Sequence, residues 1–344
     1  MNNIENKGIY LDYGPILSYQ RFLTILTGGR GIGKTYGIKK HIIKRFIEHG
    51  EQFIWIRRYR EELKIAKSGF FEKVKKEFPD NCLEVRGKEI YIDNKLAGVF
   101  CALSQNATNK GNDILNNART AVFDEYIIGE TKYGGYLPNE IRTLFDLLET
   151  FFRTNENTRM FVLSNNISEI NPLYLYFGIE FKNNNTKWID EDIYCEKLPT
   201  SEELVKLKSK TPMGRITKKY DQEYYNYNVN NSVLKDNENF IKEKPNKAYQ
   251  CMTISFDSRY VYIYKVKDRL TGSYVFYASD IGQKDFAINF TFDLNKASED
   301  VILVDKTNLS LPIKDLANAY KRGRLFFESQ EIKSIMTENL KKFF

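Results

Sequence analysis

A glycine-rich stretch near the amino terminus carries the clearest chemical signal in the sequence. Residues 28–35 read Gly-Gly-Arg-Gly-Ile-Gly-Lys-Thr and fit the phosphate-loop pattern G-x-x-x-x-G-K-[ST]. Glycines allow the sharp turn that aims backbone N–H groups at phosphate oxygens, and the start of the next helix attracts anions. Lys34 should reach the β- and γ-phosphates of ATP, and the Thr35 hydroxyl should bind Mg²⁺. The predicted nucleotide-binding residues are Gly28, Gly29, Arg30, Gly31, Ile32, Gly33, Lys34 and Thr35.

Two adjacent carboxylates follow another apolar run. Residues 121–124 read as a buried strand that ends in Asp124, and Glu125 comes directly after it. We expect Asp124 to hold Mg²⁺, directly or through water, and Glu125 to orient and deprotonate the attacking water. Surface carboxylates after a strand are the alternative, but a phosphate loop upstream, at the spacing of an α/β core, favours the catalytic pair.

Polar and aromatic residues flank two other predicted core strands. Asn165 follows the strand over 159–164, where its amide either senses the γ-phosphate or forms a simple Asn turn, and the spacing favours neither. Before the first strand, a tyrosine either stacks on the nucleotide base or packs over the edge of the sheet. The candidates are Tyr10, Tyr13 and Tyr19.

Composition limits the remaining possibilities. The chain has 344 residues, enough for about two domains, and an aromatic content of 14%, which excludes a disordered protein. The net charge of +7 permits a nucleic-acid partner without requiring one. Four scattered cysteines and two histidines on one predicted helix disfavour zinc, disulfides and a catalytic histidine. The sequence shows neither a membrane-spanning run nor a signal peptide, so we expect no membrane partner and a cytoplasmic location.

The predicted elements alternate between strands and helices, with a β-rich insertion before Asp124. This order predicts an α/β fold with a mostly parallel sheet and ligands at the carboxyl ends of its strands. The acid beside Asp124 and the polar strand tip at Asn165 indicate a P-loop ATPase core of the additional-strand class. The absence of N-K-x-D and T-K-x-D motifs disfavours a GTPase. In chain order, the elements are a strand over 21–26, a helix over 36–49, a strand over 52–57, a helix over 61–78, short strands within 82–102, a strand over 121–124, a helix over 140–152 and a strand over 159–164.

A change in composition after residue 198 predicts two domains and a connector. Residues 1–198 form the P-loop ATPase domain in this scheme. Residues 199–235, rich in Lys, Asn and Tyr, form a linker or lid with one short helix near 201–209. Three β-rich runs and two helices then predict a smaller α+β domain over 236–344.

These residues resemble the DNA-packaging ATPases of small tailed bacteriophages with short linear genomes, relatives of the large terminase subunit. The likeness extends, with weakening strength, from about residue 17 to the carboxyl terminus and is much more specific than the phosphate loop alone. The matching stretches are Arg30-Gly31-Ile32-Gly33-Lys34, Gly50-Glu51-Gln52-Phe53-Ile54, Ile56-Arg57-Arg58-Tyr59, Val122-Phe123-Asp124-Glu125, Tyr136-Leu137-Pro138-Asn139-Glu140, Phe152-Arg153, Leu163-Ser164-Asn165 and Met213-Gly214-Arg215.

The resemblance implies a motor that couples ATP hydrolysis to translocation of double-stranded DNA. Such motors form homo-oligomeric rings, usually pentamers, that dock on the portal of an empty capsid in the host cytoplasm, and a packaging RNA is a possible further partner. The carboxyl-terminal domain would be RNase H-like and vestigial, because unit-length genomes need no cutting. Asp257 stands where a nuclease keeps a metal ligand, with only Asp280 and Asp285 as candidate partners, so we expect no nuclease activity.

The resemblance also gives roles to basic residues. Arg153 matches the family's arginine finger, which acts on the nucleotide of the neighbouring subunit, whereas its spacing alone favours an arginine that complements a helix dipole. DNA contacts are expected from pore-facing loops. For the three arginines among the candidates, a solvated basic face explains their positive charge equally well. The candidates are Lys132, Arg57, Arg58 and Arg60.

Other functions compete with the motor. A small-molecule P-loop kinase would need a cationic lid within one subunit, which residues 199–235 could supply. Another nucleic-acid translocase or helicase would use the same nucleotide site. A non-catalytic scaffold is disfavoured by the intact set of Lys34, Thr35, Asp124 and Glu125.

Overall fold

The chain forms two compact units, Met1–Lys235 and Asp236–Phe344. Over the described stretches, no helix combines the length and apolarity needed to cross a bilayer. A computed structural model describes residues 10–105, 115–128, 136–137, 140–167, 171–179, 181, 185–232, 240–256, 259–268, 272–284, 288–304 and 310–340.

A mostly parallel sheet forms the centre of the first unit, as the sequence predicts. Its described strands are β1 (Leu23–Gly28), β2 (Gln52–Arg57), β3 (Leu83–Arg86), β4 (Glu89–Ile92), β5 (Lys95–Ala102), β6 (Ala118–Asp124), β7 (Arg159–Asn165), β8 (Lys187–Ile189) and β9 (Ile193–Leu198). Their order across the sheet is β3-β4-β5-β2-β6-β7-β1-β9-β8. The run from β5 to β9 is parallel, whereas β3, β4 and β8 add antiparallel edges.

The strand order confirms the additional-strand architecture. β7 lies between β1, which leads into the glycine-rich loop, and β6, which ends in the predicted catalytic acids. Because all three strands are parallel, their carboxyl ends meet at one edge of the sheet. The fold therefore brings the glycine loop, Asp124 and Asn165 to the same edge.

Helices cover the faces of this sheet. The helix after the glycine loop buries Ile38, Ile42, Ile43 and Phe46 at helical spacing and ends before Gly50, whose φ of 65° suits the left-handed residue after a helix. The described helices of the unit are α1 (Gly14–Ser18), α2 (Lys34–His49), α3 (Arg60–Ser68), α4 (Glu140–Phe152), α5 (Pro172–Phe177), α6 (Glu202–Lys210), α7 (Pro212–Tyr220) and α8 (Gln222–Asn228).

Two helical regions differ from the sequence prediction. The helix expected over 61–78 ends at Ser68, because the chain turns at Gly69 and buries Phe70 and Val74 in the core. Residues 199–232 contain α6, α7 and α8 instead of one short helix. Each of these begins with a side-chain cap on a backbone N–H, which explains three short helices in a polar stretch. The capping residues are Ser201, Thr211 and Asp221.

The second unit contains a smaller mixed sheet. Its described strands are β10 (Tyr249–Phe256), β11 (Arg259–Lys267), β12 (Tyr274–Ser279), β13 (Ile288–Thr291), β14 (Val301–Leu303) and β15 (Leu325–Phe327), in the order β14-β13-β10-β11-β12-β15. β10, β11 and β12 are antiparallel, and the others join parallel. Helices α9 (Leu311–Lys321) and α10 (Gln330–Leu340) contribute to the unit's buried core, which matches the predicted α+β composition.

A buried ion pair connects the carboxyl edge of the first sheet to α4. Arg58 is 2% exposed and donates from Nε and Nη2 to the Glu140 carboxylate at 2.7 and 2.8 Å. Its Nη2 also donates to the carbonyl oxygen of Tyr126 at 2.6 Å. The prediction that Arg58 contacts DNA is therefore wrong, because its charge is satisfied inside the protein.

We predict that Arg58→Met destabilises the first unit by about 3–5 kcal/mol, because it leaves the buried Glu140 carboxylate unpaired. Arg60→Met, on the exposed start of α3, should change the free energy of unfolding by less than about 0.5 kcal/mol. Urea unfolding followed by tryptophan fluorescence measures this unit alone, since both tryptophans, Trp55 and Trp188, lie in it. Equal effects of the two substitutions would contradict the assigned role of the ion pair.

Candidate nucleotide site

The glycine loop joins the end of β1 to the start of α2. Gly31 and Gly33 have φ values of 80° and 100°, in the left-handed region that side chains rarely adopt. A Cβ on Gly28 would lie 2.9 Å from the carbonyl oxygen of Leu198, so the loop packs closely on β9. The local sequence therefore needs glycine both for the turn and for the approach of neighbouring backbone.

Lys34 points back into the loop. Its Nζ donates to the backbone oxygens of Gly28 and Gly29 at 2.8 and 2.9 Å, and Asn165 Oδ1 lies 3.5 Å away. The side chain is buried, and this burial lowers the pKa of Lys34 to about 8, with Lys208 and Arg30 adding to the decrease and Asp124 opposing it. A buried cation among backbone groups is suited to bind an anion.

The predicted acids lie at the end of β6. Thr35 Oγ1 donates to Asp124 Oδ1 at 3.1 Å, so the two expected Mg²⁺ ligands are in contact. Asp124 is 4% exposed, and burial raises the pKa of its carboxyl group, with Glu125 adding to the rise and Arg57 opposing it. Glu125 is largely exposed, which is compatible with the predicted contact of its carboxylate with a water molecule.

The backbone turns sharply at Glu125. Its φ is 60°, which is uncommon for a residue with a side chain, and the next residue, Tyr126, donates its N–H to the carbonyl oxygen of Leu163 on β7. Ile127 N–H donates to Ser164 Oγ at 3.0 Å. These bonds to β7 hold the left-handed turn in place, so the carboxylate of Glu125 projects from the edge of the sheet beside Asp124.

Arg57 is a site residue whose role the sequence analysis missed. Its Nη2 donates to Asp124 Oδ2 at 2.7 Å and its Nη1 to Glu125 Oε2 at 2.5 Å. The side chain is 12% exposed, so the expectation that Arg57 contacts DNA is wrong for this conformation. Arg57 instead offsets part of the negative charge of the paired acids and holds Glu125 in place. A contact between Arg57 and the acids follows once β2 and β6 are taken as neighbouring strands, because the residues at their carboxyl ends must then be adjacent.

The aromatic residues before β1 pack on the protein. The Tyr13 hydroxyl donates to the carbonyl oxygen of Lys34 at 2.5 Å, and its ring covers Gly37, where a Cβ would lie 2.3 Å from the ring. Tyr19 stacks on Tyr194 with ring centroids 4.3 Å apart. Tyr10 is half exposed and lies beside Gly33. Packing therefore accounts for Tyr13 and Tyr19, and Tyr10 remains beside the loop.

The segment over 199–232 also reaches the loop, which sequence spacing does not reveal. Lys208 Nζ donates to the carbonyl oxygens of Arg30 and Asn228 at 2.5 and 2.8 Å. The guanidinium of Arg30 lies 5.8 Å from the centroid of the Tyr227 ring. The Asn231 amide donates to the carbonyl oxygen of Leu198 at 2.9 Å. Helices α6 and α8 therefore contact the loop directly.

Arg153 lies away from this cluster. Arg153 follows α4 as an exposed residue and lines a cavity of about 240 Å³ with Phe22 and Asn155. Asn155 Nδ2 donates to the carbonyl oxygen of Ala118, the first residue of β6, so Arg153 lies near the amino ends of the strands. Arg60 is exposed at the start of α3, and Lys132 lies outside the described residues.

The oxygen donors at this edge fit a magnesium–nucleotide complex. Mg²⁺ usually takes one or two protein oxygens and completes its shell with phosphate oxygens and water, and Thr35 and Asp124 provide such a pair. Within the described stretches, no cluster of three or more His, Cys, Asp or Glu side chains forms a separate metal site. The loop and Lys34 would hold the phosphates beside that ion.

The pKa of Lys34 predicts a pH-dependent stability. An unfolded lysine has a pKa of about 10.4, so between pH 8 and 10.4 the unfolded chain binds more protons at this residue than the folded one. The contribution of Lys34 to the free energy of unfolding should therefore rise with pH in this window, by roughly 2–3 kcal/mol, and Lys34→Met should lose this contribution. Urea unfolding at pH 7.5, 9 and 10 tests this, with Lys206→Met as the exposed control. A wild-type increase no larger than that of Lys34→Met would contradict it.

Comparison with known proteins places the chain in a family. The family model described as Podovirus DNA encapsidation protein (Gp16) matches residues 5–344. The DNA packaging protein of Bacillus phage phi29 is 34% identical over 339 residues, which cover 98% of this chain and 98% of that protein. In the phi29 viral genome packaging motor assembly, a chain with 30% identity aligns with a TM-score of 0.71, covering 98% of this chain and 100% of its own length. The N-terminal domain of the phi29 DNA packaging ATPase aligns with a TM-score of 0.52 and 40% identity, covering 56% of this chain and 97% of that domain. This chain therefore belongs to the podovirus DNA encapsidation protein (Gp16) family.

Proposed function

We propose that this protein is an ATP-driven motor that moves double-stranded viral DNA into a preformed capsid through its portal. The observation that carries the proposal is the meeting of Lys34, Thr35, Asp124 and Glu125 at one sheet edge, on a fold whose relatives include a phi29 DNA packaging ATPase. The alignment with the phi29 relative covers nearly the whole length of both proteins. This coverage supports the same function for the two proteins, with both units included.

Each residue of the nucleotide site has a separate role in ATP hydrolysis. Lys34 and the loop N–H groups bind the phosphates, and Thr35 and Asp124 hold Mg²⁺, which offsets phosphate charge when bound. Glu125 orients and deprotonates the attacking water once Arg57 releases its carboxylate. Asn165, whose amide oxygen lies 3.5 Å from Lys34 Nζ, senses the terminal phosphate from the tip of β7.

Arg153 completes the site of a neighbouring subunit in this proposal. The carboxyl end of α4 lies beside the start of β6, whereas the acids lie at the end of this strand of seven residues. At about 3.3 Å per residue the separation is roughly 20 Å, which no arginine side chain spans. A finger that cannot serve its own site makes hydrolysis depend on assembly into a homo-oligomeric ring, which we propose to be a pentamer.

The same proposal includes contacts with DNA, docking on the portal and a location in the host cell. The remaining DNA candidates are Arg60, which is exposed, and Lys132, which lies outside the described residues. Contacts to phosphates should be tolerant of sequence and weakened by salt. The ring would dock on the capsid portal in the host cytoplasm, and a packaging RNA is a possible additional partner. Recognition of backbone charge, not of bases, suits a motor that must move along any sequence.

We also propose that the second unit is an RNase H-like domain without nuclease activity. Its sheet joins an antiparallel three-stranded meander, β10 to β12, to parallel strands on both sides. Of the three carboxylates considered for metal binding, Asp280 lies just after β12, and Asp257 and Asp285 lie outside the described residues. Two-metal cleavage needs several converging carboxylates, and the sequence offers few.

A packaging assay tests the proposed function. With empty capsids that carry a portal, the protein should protect DNA from added nuclease only when ATP is present.

Lys34→Ala and Asp124→Ala should abolish ATP binding, whereas Glu125→Gln should bind ATP but hydrolyse it at least 10²-fold more slowly. The exposed Glu203→Gln on α6 is the matched control. Near-normal hydrolysis by Glu125→Gln would refute the assignment, and phosphate transfer to a small acceptor without DNA protection would favour the kinase.

Mixing two inactive variants tests the arginine finger. Arg153→Ala and Glu125→Gln subunits should each be nearly inactive alone, since a finger in trans contributes roughly 10³–10⁵ to the rate. In mixed rings, some interfaces pair an intact Glu125 with an intact neighbouring Arg153, so part of the ATPase activity should return. If mixed rings form and stay inactive, or if isolated monomers hydrolyse ATP at full rate, Arg153 does not act across a subunit boundary.

A further inference from the structure

Helix α6 is fixed against the outer side of the phosphate loop. Its buried residue Leu204 belongs to the same apolar cluster as Ile32 of the loop and Leu198 at the end of β9. A Cβ on Gly29 would lie 2.8 Å from Thr200 Oγ1, just before the helix. Apolar packing therefore holds α6 at the loop independently of the hydrogen bonds of its lysines.

One lysine of α6 turns inward from this fixed position. Lys208 is half-buried, and its Nζ donates to the carbonyl oxygen of Arg30 at 2.5 Å and to that of Asn228 at 2.8 Å. Among the described residues, no carboxylate lies within ion-pair distance of its ammonium group. By contrast, Lys206 on the same helix is 70% exposed and lies 3.8 Å from Glu202. Lys208 is thus a charge held at the loop by neutral partners alone.

Three cations from three elements meet at this loop. Lys34 comes from α2, Arg30 from the loop itself and Lys208 from α6. The ammonium groups of Lys34 and Lys208 each donate to two backbone carbonyl oxygens around the loop. Burial lowers the pKa of Lys208, and the nearby Arg30 lowers it further. Three positive charges gathered at one loop, two of them bound to carbonyl oxygens, are suited to bind a polyanion among them.

We propose that Lys208 is a second phosphate-binding lysine, which contacts the terminal phosphate of ATP and thereby makes helices α6 to α8 responsive to the nucleotide. The inference rests on the proposed ATPase function. Two of the three N–H donors of the ammonium group bind the carbonyl oxygens of Arg30 and Asn228, and a shift of the group toward the terminal phosphate would exchange one of these bonds. Asn228 is the last residue of α8. Exchange of that bond would free the carboxyl end of α8, which precedes the second unit in the chain.

A merely structural lysine makes a different prediction. If Lys208 only pins α8 to the loop, its loss should weaken ATP and ADP equally, because both nucleotides use the same loop. If it contacts the terminal phosphate, its loss should weaken ATP selectively. The ratio of the two affinities therefore separates the two roles.

The test compares binding of a non-hydrolysable ATP analogue and of ADP, each with Mg²⁺, to the full chain. Lys208→Met should lower affinity for the analogue about 10- to 30-fold and affinity for ADP less than about 3-fold, as expected for loss of one charge-assisted contact. Lys208→Arg should retain most of the preference, and Lys206→Met should match the wild type. Hydrogen exchange of α8 provides a second measurement: the analogue should increase exchange in the wild type more than ADP does, and this difference should disappear in Lys208→Met.

An unchanged affinity ratio in Lys208→Met, with ATP and ADP bound by the wild type, would overturn this inference and leave the ATPase proposal standing. Equal losses for the two nucleotides would assign Lys208 a structural role. A wild-type chain that binds neither nucleotide would defeat both proposals, so the two failures are distinguishable.

Discussion

The buried carboxylate of Asp124 is the constraint on which the rest of the site depends. A charge that is 4% exposed costs several kcal/mol unless partners replace the lost water. Two partners do so here, the Thr35 hydroxyl from α2 and the Arg57 guanidinium from the end of β2. Both partners reach Asp124 only if β2 lies beside β6 and the start of α2 faces the same sheet edge, which is the observed order.

Opposite charges on the two sides of this edge explain why the site suits a magnesium–phosphate complex. Asp124 and Glu125 share the single guanidinium of Arg57, whereas Lys34 and Lys208 are bound to carbonyl oxygens only a loop away. The two lysines are therefore hydrogen-bonded to neutral oxygens, and the two carboxylates share one positive charge. A ligand that brings both phosphates and a divalent cation satisfies the two sides together, which neither free phosphate nor a metal alone does.

Much of this site follows from the sequence, because its central residues lie in local patterns. Glycines before Lys34 and an apolar run before Asp124 mark a loop and a strand end, and parallel strands carry such ends to one edge. The residues whose roles were missed depend on distant partners. Arg58 binds Glu140, which is 82 positions away, and Lys208 binds the backbone of Arg30, 178 positions earlier. Nothing near either residue in the chain distinguishes it from a solvated basic side chain.

The neighbouring residues Arg57 and Arg58 show why local sequence is insufficient. Both follow the apolar part of β2, yet the first pairs with Asp124 and Glu125 and the second binds the start of α4 inside the protein. The side chains of consecutive residues leave a strand in opposite directions, so one arginine serves the site and the other secures the helix that ends at Arg153. A shift of α4 would therefore have to strain or break a buried ion pair that adjoins the catalytic edge. In the proposed ring, where Arg153 serves the next subunit, that pair links the sheet edge that carries a subunit's own acids to the helix that ends at its proposed finger.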